Sequence, residues 1–306
     1  MRRMSSQFAG FSVVLLVAGC GGGGGSSSVP EVPFTSFLAV RPSTTVAMSG
    51  GISTTATGTY TTAGTTTTVS PLALPIVDTS AANAQKLTYD SNRALSGMTF
   101  STPNGSASFS RSSGPFVCSV GVCQGISGTA TGVVIDGVSS PLGWSYQTFG
   151  VWERPLSATT LQAGAISAGA VTPASAVPSS GSATFTGLTS AFYVDAGGTP
   201  YFAAAQMSAT ATWTGTPSIA FSTSGTQTVN LNSGLTNTNA SFLNLTGTFS
   251  YDSNVNRFSG PVNAPGATMS GTGTGRFYGP AAQEIGGAFN LTGLGGSMIG
   301  GFGGRQ

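Results

Sequence analysis

A strict alternation of apolar and hydroxyl-bearing residues runs through the second half of the chain, from about residue 182 onward. Met207, Ala209, Ala211 and Trp213 occupy alternate positions, and the residues between them are polar. Because successive side chains of a β-strand point to opposite faces, a period of two predicts strands with one buried face. The alternation predicts eight strands, at Ser182–Val194, Ala203–Trp213, Ser218–Thr223, Ser241–Tyr251, Arg257–Val262, Thr268–Phe277, Glu284–Leu291 and Ser297–Phe302.

Eight short antiparallel strands separated by turn residues are typical of a closed up-and-down barrel. Its apolar face combines aromatic rings with glycine, as in Gly273, Gly275 and Phe277. Small residues beside large ones favour a narrow barrel filled by its own side chains. A membrane-spanning barrel would turn an apolar face toward lipid, and the Ser/Thr face here is unsuited to that role. The predicted fold class is therefore all-β, with a C-terminal eight-stranded antiparallel barrel whose interior is packed.

The first half is also rich in strand signals, so residues 34–172 are predicted to form a β-rich domain. A stretch rich in Pro, Ala and Ser at 173–181 predicts the linker to the barrel domain at 182–306. Asp136-Gly137 is a hairpin signal, and Thr65 to Thr68 indicates an exposed loop or edge strand. Tyr-Asp-Ser-Asn occurs at both 89–92 and 251–254. Shared turn chemistry explains that repeat, and a duplicated β unit is the alternative.

The N-terminus resembles a bacterial lipoprotein signal. A short basic start precedes an apolar stretch from Phe8 to Val17, which is too short for a permanent membrane span. Val17-Ala18-Gly19-Cys20 then resembles a lipobox. We therefore expect residues 1–19 to be removed, Cys20 to be lipidated, and the Gly/Ser-rich residues 20–33 to act as a flexible tether to the outer membrane.

Charge is scarce, and its balance excludes several kinds of partner. Charged residues make up 6% of the chain, and removing Arg2 and Arg3 with the signal leaves eight basic residues against eight acidic ones. A neutral chain without a basic stripe does not fit nucleic-acid binding.

The reactive residues do not form a recognisable catalytic or metal-binding set. Cys118 and Cys123 are an even pair in an exported chain, which predicts a disulfide. Zinc would need more ligands than these two cysteines supply, since the chain has no histidine. Without histidine, Ser-His and Cys-His nucleophile pairs are excluded. The carboxylates are scattered, and Gly271 to Gly275 continues a strand rather than opening a nucleotide-binding helix. We therefore predict no enzyme activity, no metal and no cofactor.

Several segments have the pattern of one known family, among them Tyr146-Gln-Thr-Phe-Gly-Val-Trp152 and Ser182-Ala-Thr-Phe-Thr-Gly187. The first is similar to the segment that closes the handle domain in the transferrin-binding protein B family, and the second is similar to that family's first barrel strand. The run from Gly271 through Phe289 resembles the barrel signature, as does the ending from Gly300 to Arg305. The motif residues, for which the resemblance implies structural roles, are Gly275, Phe277, Tyr278, Gly279, Pro280, Glu284, Gly286, Gly287 and Phe289.

The resemblance implies a single lobe, made of a β-rich handle domain at residues 34–172 and a barrel at 182–306, carried as a lipoprotein on the surface of a Gram-negative cell. Relatives capture host iron carriers, haem-related ligands or other host proteins through loops. For this chain we expect binding through Asp195–Thr199, Gly234–Ala240 and handle loops, with a host iron-carrier or other protein as partner and a surface-lipoprotein translocon for export. The alternative is a structural or adhesive envelope lipoprotein without a nutrient ligand, which the hydroxyl-rich surface would also suit.

Overall fold

The computed structural model describes residues 42–137, 142–252 and 254–306. Its first twelve strands form the part that we call the handle. They are β1 Thr45–Ser49, β2 Ile52–Ala63, β3 Thr66–Val69, β4 Ile76–Asp78, β5 Ala84–Tyr89, β6 Leu95–Thr102, β7 Gly105–Ser110, β8 Phe116–Ser119, β9 Val122–Ser127, β10 Ala130–Ile135, β11 Gln147–Pro155 and β12 Thr160–Gly169.

The handle consists of two sheets packed face to face. A four-stranded sheet has the order β1-β5-β6-β7, and a larger sheet has the order β3-β2-β12-β11-β10-β9-β8, with β4 also paired to β2. Large apolar side chains fill the space between them, including Phe100, Phe109 and Trp152. The rings of Phe100 and Trp152 stack with their centroids 5.1 Å apart. Burial of these aromatic side chains from both sheets makes the handle a two-layer unit.

The remaining strands include a closed, eight-stranded, antiparallel barrel, which confirms the predicted fold class. Each barrel strand pairs with its neighbours in the chain, and the first pairs with the last to close the ring. The barrel strands are β13 Ser182–Asp195, β14 Pro200–Thr212, β15 Ser218–Asn230, β17 Thr246–Asp252, β18 Arg257–Ala264, β19 Met269–Tyr278, β20 Glu284–Gly293 and β21 Gly296–Arg305, and the two-residue β16 Thr236–Asn237 adds to β15 outside the ring.

The barrel interior is filled by side chains, as the alternation predicted. Phe221, Phe249, Phe258 and Phe302 pack against one another with centroids 5.1–6.3 Å apart. Glycines make room for these rings. A Cβ placed on Gly275 would lie 2.2 Å from the ring of Phe258. The mixture of glycine and phenylalanine therefore reflects a narrow barrel with a close-packed core.

One outer wall of the barrel is apolar and covered by the handle, which the sequence analysis did not predict. Phe192, Ala288 and Ile299 point outward and pack against a cluster that includes Val151 and Ala165 of the larger handle sheet. β20 and β21 are consequently buried on both faces over most of their length, and β13 is buried on both faces from Leu188 to Val194. The prediction of a Ser/Thr outer face was therefore wrong for this wall.

Two local predictions also require correction. Ser241–Leu243 is a 3-10 helix rather than the start of a strand, although Leu243 and Leu245 are buried as their spacing suggested. Asp136-Gly137 does not form a two-residue hairpin, since the paired strands β10 and β11 are joined by the longer connection 136–146. By contrast, β3 lies at the edge of its sheet, which confirms the interpretation of the threonine run.

Candidate binding site at the barrel mouth

Four inter-strand connections emerge at one end of the barrel. β13, β15, β18 and β20 end there, and the strands that follow them begin there. We call this the loop end; its connections are 195–200, 230–246, 264–269 and 293–296. The opposite end carries the connections 212–218, 252–257 and 278–284. Both predicted binding loops, Asp195–Thr199 and Gly234–Ala240, therefore lie at the loop end.

The turn between β13 and β14 is held by the carboxylate of Asp195. Its Oδ1 accepts a hydrogen bond from the backbone N–H of Thr199 at 2.8 Å. The backbone N–H of Gly198 donates to the carbonyl of Asp195 at 2.9 Å, with Gly198 at a φ of +83°. Aspartate and glycine at these positions are the residues that a tight turn favours, because one supplies an acceptor and the other tolerates positive φ.

The longer connection after β15 is similarly ordered by an amide side chain. Asn230 Oδ1 accepts from the backbone N–H groups of Asn232 at 2.8 Å and Ser233 at 3.0 Å. Ala240 and Leu243 are buried and fasten the far part of the connection to the core. Phe242, between these two anchors, remains 43% exposed. The loop therefore presents an aromatic side chain on a backbone fixed at both ends.

Together the two connections surround a cleft of about 280 Å³ at the mouth of the barrel. Tyr193 and Thr228 are its buried residues, whereas Leu235 and Phe242 are exposed. Such mouths are a common position for ligand sites in barrels. The lining residues are Tyr193, Asp195, Tyr201, Thr228, Asn230, Ser233, Leu235, Thr236, Asn237 and Phe242.

Two stacked tyrosines form the aromatic part of the cleft. Tyr193 and Tyr201 face each other across β13 and β14, with ring centroids 5.6 Å apart and an interplanar angle of 26°. The hydroxyl of Tyr201 donates to Asp195 Oδ2 at 3.1 Å, and that of Tyr193 donates to the carbonyl of Gly295 at 2.8 Å. These bonds fix both rings, and the Tyr193 bond ties the β13–β14 hairpin to the 293–296 connection.

The pKa values of both tyrosines are raised in the cleft. Burial, followed by the Asp195 carboxylate and Tyr201, raises the pKa of Tyr193 to about 12. Burial and Asp195 likewise raise the pKa of Tyr201. Both hydroxyls are therefore protonated donors at neutral pH.

The handle reaches the loop end through β3. Asn232 exchanges two hydrogen bonds with the backbone of Thr67, at 2.8 and 2.9 Å. The N–H of Val69 donates to the carbonyl of Gly198 at 2.8 Å. One edge of the handle therefore braces both connections that line the cleft, which limits how far the loops can move independently.

Exposed apolar side chains surround the loop end. Leu235 is 73% exposed and Leu294 is 82% exposed, and Phe242 adds an aromatic group. Single exposed apolar residues are common on proteins, but these three all lie on connections at the same end of the barrel.

The sequence located this site only in part. It identified both connections by their turn residues, but it did not single out Tyr193, Tyr201 or Asn230. A signal was present, because Tyr193 and Tyr201 stand at equal distances from the centre of the Asp195–Thr199 turn. A hairpin closed by that turn must set the two rings opposite each other.

Of the family motif residues, Glu284 lies between the two parts of the molecule. Its buried carboxylate accepts backbone hydrogen bonds from Ser145 at 2.5 Å and from Tyr146 and Gln147 at 2.9 Å each. Burial raises its pKa to about 7 against the opposing effect of these bonds and of Arg305. Glu284 therefore links the start of β20 to the segment leading into β11, away from the cleft.

The other motif residues occupy structural positions. Phe277 and Phe289 are buried in the barrel core. Tyr278 is buried, and its hydroxyl lies 3.1 Å from Ser167 Oγ of the handle. The remaining members surround these contacts: Gly275 faces Phe258, Gly279 has a φ of +89°, Pro280 follows it in the turn, Gly286 lies against Ser167 and Gln147, and Gly287 lies against Phe302.

The cysteines are placed apart from the cleft. Cys118 and Cys123 form a disulfide across the β8–β9 hairpin, at the edge of the large handle sheet opposite β3. Cys20, predicted to be lipidated, lies outside the described residues, together with the predicted signal peptide and tether.

The described part of the chain holds no group of three or more His, Cys, Asp or Glu residues arranged to bind a metal ion. It also contains no helix with the length and hydrophobicity needed to span a bilayer.

Comparison with known proteins associates the barrel with a family. Residues 177–306 match the family described as C-lobe and N-lobe beta barrels of Tf-binding protein B. The predicted resemblance is thus confirmed for the barrel. No curated protein matches the chain significantly.

Solved structures of low sequence identity also resemble the chain. A tryptophan-to-alanine variant of Transferrin Binding Protein B from Haemophilus parasuis Hp5 is 15% identical, with 75% of this chain and 52% of that chain covered and a TM-score of 0.41. The isotype 1 Transferrin binding protein B from serogroup B Neisseria meningitidis is 17% identical, with 76% of this chain and 44% of that chain covered and a TM-score of 0.39. A phenylalanine-to-alanine variant of Transferrin Binding Protein B from Actinobacillus pleuropneumoniae H49 is 12% identical, with 83% of this chain and 98% of that chain covered and a TM-score of 0.42. The chain spans about half the length of the first two.

Proposed function

Because residues 177–306 belong to the family of C-lobe and N-lobe β-barrels of transferrin-binding protein B, we propose that this chain is a surface-exposed binding lipoprotein. Its ligand is a host or environmental protein, or a nutrient carrier of the iron or haem type. The observation that carries the proposal is the family barrel, whose loop end presents a cleft and exposed apolar groups.

The proposed binding surface is the loop end of the barrel. Its connections are fixed by side-chain hydrogen bonds from Asp195 and Asn230, so binding would order few additional residues. Preorganised loops lose little conformational entropy when a partner docks. The apolar side chains of Leu235, Phe242 and Leu294 would supply the buried centre of such an interface.

We further propose that Cys20 anchors the chain in the outer membrane through lipid, including an amide-linked palmitate, and that a surface-lipoprotein translocon exports it. The support is the lipobox-like sequence and the Gly/Ser tether after it. In cells given labelled palmitate, Cys20→Ser should abolish incorporation and release the chain from the membrane fraction. Unchanged labelling and membrane association of this variant would contradict the anchor.

The binding proposal is tested with defined ligands. Full-length chain, immobilised, is exposed to iron-free and iron-loaded transferrin, lactoferrin and haemin at micromolar concentrations, with the barrel of an unrelated lipoprotein as the reference surface. We expect saturable binding of at least one of them. Absence of binding to all three, by a chain shown to be folded by circular dichroism, would count against the carrier class.

A structural or adhesive role is the second candidate, and one observation favours it. The exposed barrel positions of β13, β15 and β17 are mostly serine and threonine, which gives a hydroxyl-rich surface with little charge. A deletion strain that loses adhesion or envelope integrity, yet grows normally on iron carriers as the sole iron source, would select this role instead.

A further inference from the structure

The cleft at the barrel mouth combines one charge with an aromatic and apolar rim. Asp195 is the only charged residue among the ten described residues that line it, and none of them carries a positive charge. Asp195 is half-buried. Because less water surrounds a half-buried carboxylate, a cation bound beside it would interact with it more strongly than a cation in solvent. An unbalanced negative charge in a partly buried cleft favours a cationic ligand.

The carboxylate retains capacity for further hydrogen bonds. Oδ1 accepts from the Thr199 backbone and Oδ2 from the Tyr201 hydroxyl. Each carboxylate oxygen has two acceptor positions, so each can accept one more donor. The two existing bonds hold the carboxylate in place and leave one acceptor position on each oxygen unused. The group is therefore preorganised to accept a charge-assisted hydrogen bond.

The side chains around Asp195 indicate which kind of positively charged group would bind there. Tyr201 presents a half-buried ring beside the carboxylate, a position that suits stacking with a flat guanidinium. Leu235 and Phe242 lie farther out and are exposed, so an aliphatic stem could pack against them. A bare metal ion would make no use of these apolar groups, whereas a long basic side chain would use both parts of the cleft.

We propose that the cleft lined by Tyr193, Asp195 and Tyr201 receives an arginine side chain of the partner protein. This proposal rests on the proposed function for its partner, but the recognition chemistry stands on the cleft alone. The guanidinium would donate to Asp195 and lie against Tyr201, while its methylene groups contact Leu235 and Phe242. The buried Thr228, which also lines the cleft, would offer a further acceptor through its hydroxyl.

The test uses a small probe, so that it does not depend on any partner protein. Full-length chain labelled with ¹⁵N is titrated with N-acetyl-argininamide, and with N-acetyl-citrullinamide as the neutral analogue of the same shape. We expect saturable shifts at Asp195, Thr199 and Asn230 with the arginine probe. The citrulline probe should bind at least about tenfold more weakly, the loss expected when one charge-assisted pair is removed.

Variants complete the experiment. Asp195→Asn keeps an acceptor for the Thr199 N–H and should abolish the preference for arginine over citrulline. Asp252→Asn, an exposed turn aspartate at the opposite end of the barrel, is the matched control and should retain it. If Asp195→Asn perturbs folding, Asp195→Ser, which keeps a short hydroxyl acceptor for the same N–H, should also abolish the preference for arginine.

Equal binding of the two probes, or an unchanged preference in folded Asp195→Asn, would overturn the proposal. Its failure is separable from that of the proposed function, because a chain that ignores arginine could still bind transferrin or haemin. Equally, selective arginine binding could persist in a chain that binds no iron carrier.

Discussion

At the scale of single residues, Glu284 determines how the handle is held on the barrel. Its carboxylate is 2% exposed and provides the acceptor for three consecutive backbone N–H groups at the start of β11. A buried carboxylate without such donors would be strongly disfavoured, and buried N–H groups without an acceptor would be unpaired. The glutamate and the 145–147 backbone therefore stabilise each other's burial.

Replacing this carboxylate changes both stability and its dependence on pH. Glu284→Ala removes the acceptor of three backbone N–H groups, one buried and two partly buried, and should lower the free energy of unfolding by about 3 kcal/mol or more. An alanine at Asp90, a half-buried turn aspartate that accepts only from the backbone of its own turn, is the control and should cost less. Urea denaturation followed by circular dichroism measures both. Equal losses in the two variants would contradict the role given to Glu284.

The pH dependence follows from the direction of the pKa shift. Burial raises the pKa of Glu284 from 4.5 to about 7, so the folded state binds a proton more tightly than the unfolded state. Its contribution to stability is complete below pH 4.5 and is lost as the pH rises through 7, by at most about 3 kcal/mol. Glu284→Gln should flatten this decline, leaving the part due to Glu153, whose pKa burial also raises to about 7. Identical pH profiles for the variant and the natural chain would refute this assignment.

At the scale of elements, the glycines of β19 make room for the aromatic core of the barrel. Gly273 and Gly275 face the interior, where a Cβ would lie 2.9 Å from Phe249 and 2.2 Å from Phe258 respectively. The strand can pass beside these rings only because it lacks side chains there. The glycines of the family motif thus act through the core and not through a ligand.

A single methyl group tests this packing. Gly275→Ala should destabilise the barrel by about 1–3 kcal/mol or more, since the core must expand to admit the methyl group. Ser270→Ala, at an exposed position of the same strand, should change stability by less than about 0.5 kcal/mol. Thermal unfolding of the two variants provides the measurement. A Gly275→Ala chain as stable as the natural one would show that the interior is not close-packed at this point.

Elements also show what the sequence could and could not predict. Strands such as β14 were predicted nearly to their ends, because polar and apolar residues alternate wherever one face meets water. β20 and β21 are instead nearly continuous apolar and glycine runs, which indicates burial on both faces. That signal was available and was not interpreted as a covered wall. The 3-10 helix at Ser241–Leu243 could not be distinguished from a strand, because two leucines two residues apart suit either structure when both are buried.

For the candidate site, the sequence predicted the loops and not the chemistry. Turn residues identify Asp195–Thr199 locally, since the aspartate and the glycines act on their own backbone. The position of Tyr201 opposite Asn230 depends on β14 pairing with β15. Such a contact between distant residues becomes visible only when strand order and register are known.

At the scale of the whole molecule, the larger handle sheet is a shared layer. One face contacts the four-stranded sheet and the other contacts the barrel wall around Phe192, Ala288 and Ile299. Glycines of β21 allow this close approach, as a Cβ on Gly301 would lie 2.8 Å from the ring of Phe149. We propose that residues 34–172 and 182–306 are two domains joined by 173–181 that depend on each other to cover this apolar wall.

This arrangement leaves the loop end free while the barrel wall is occupied. The handle covers one side of the barrel and braces the cleft through Thr67 and Val69, but Leu235, Phe242 and Leu294 stay exposed. We therefore propose that the ligand binds at the loop end.

The most direct test compares the two ends of the barrel in one binding measurement. Affinities for iron-loaded transferrin, lactoferrin and haemin are determined by calorimetry for the full chain, for Leu235→Ser combined with Phe242→Ser, and for Val255→Ser, which alters an exposed apolar residue at the opposite end. We expect at least one of the three ligands to bind the full chain. The double variant at Leu235 and Phe242 should bind that ligand at least about tenfold more weakly, and the Val255→Ser variant should bind it as tightly as the natural chain. Binding that survives the loop-end changes, or that is lost equally in the Val255 variant, would contradict it.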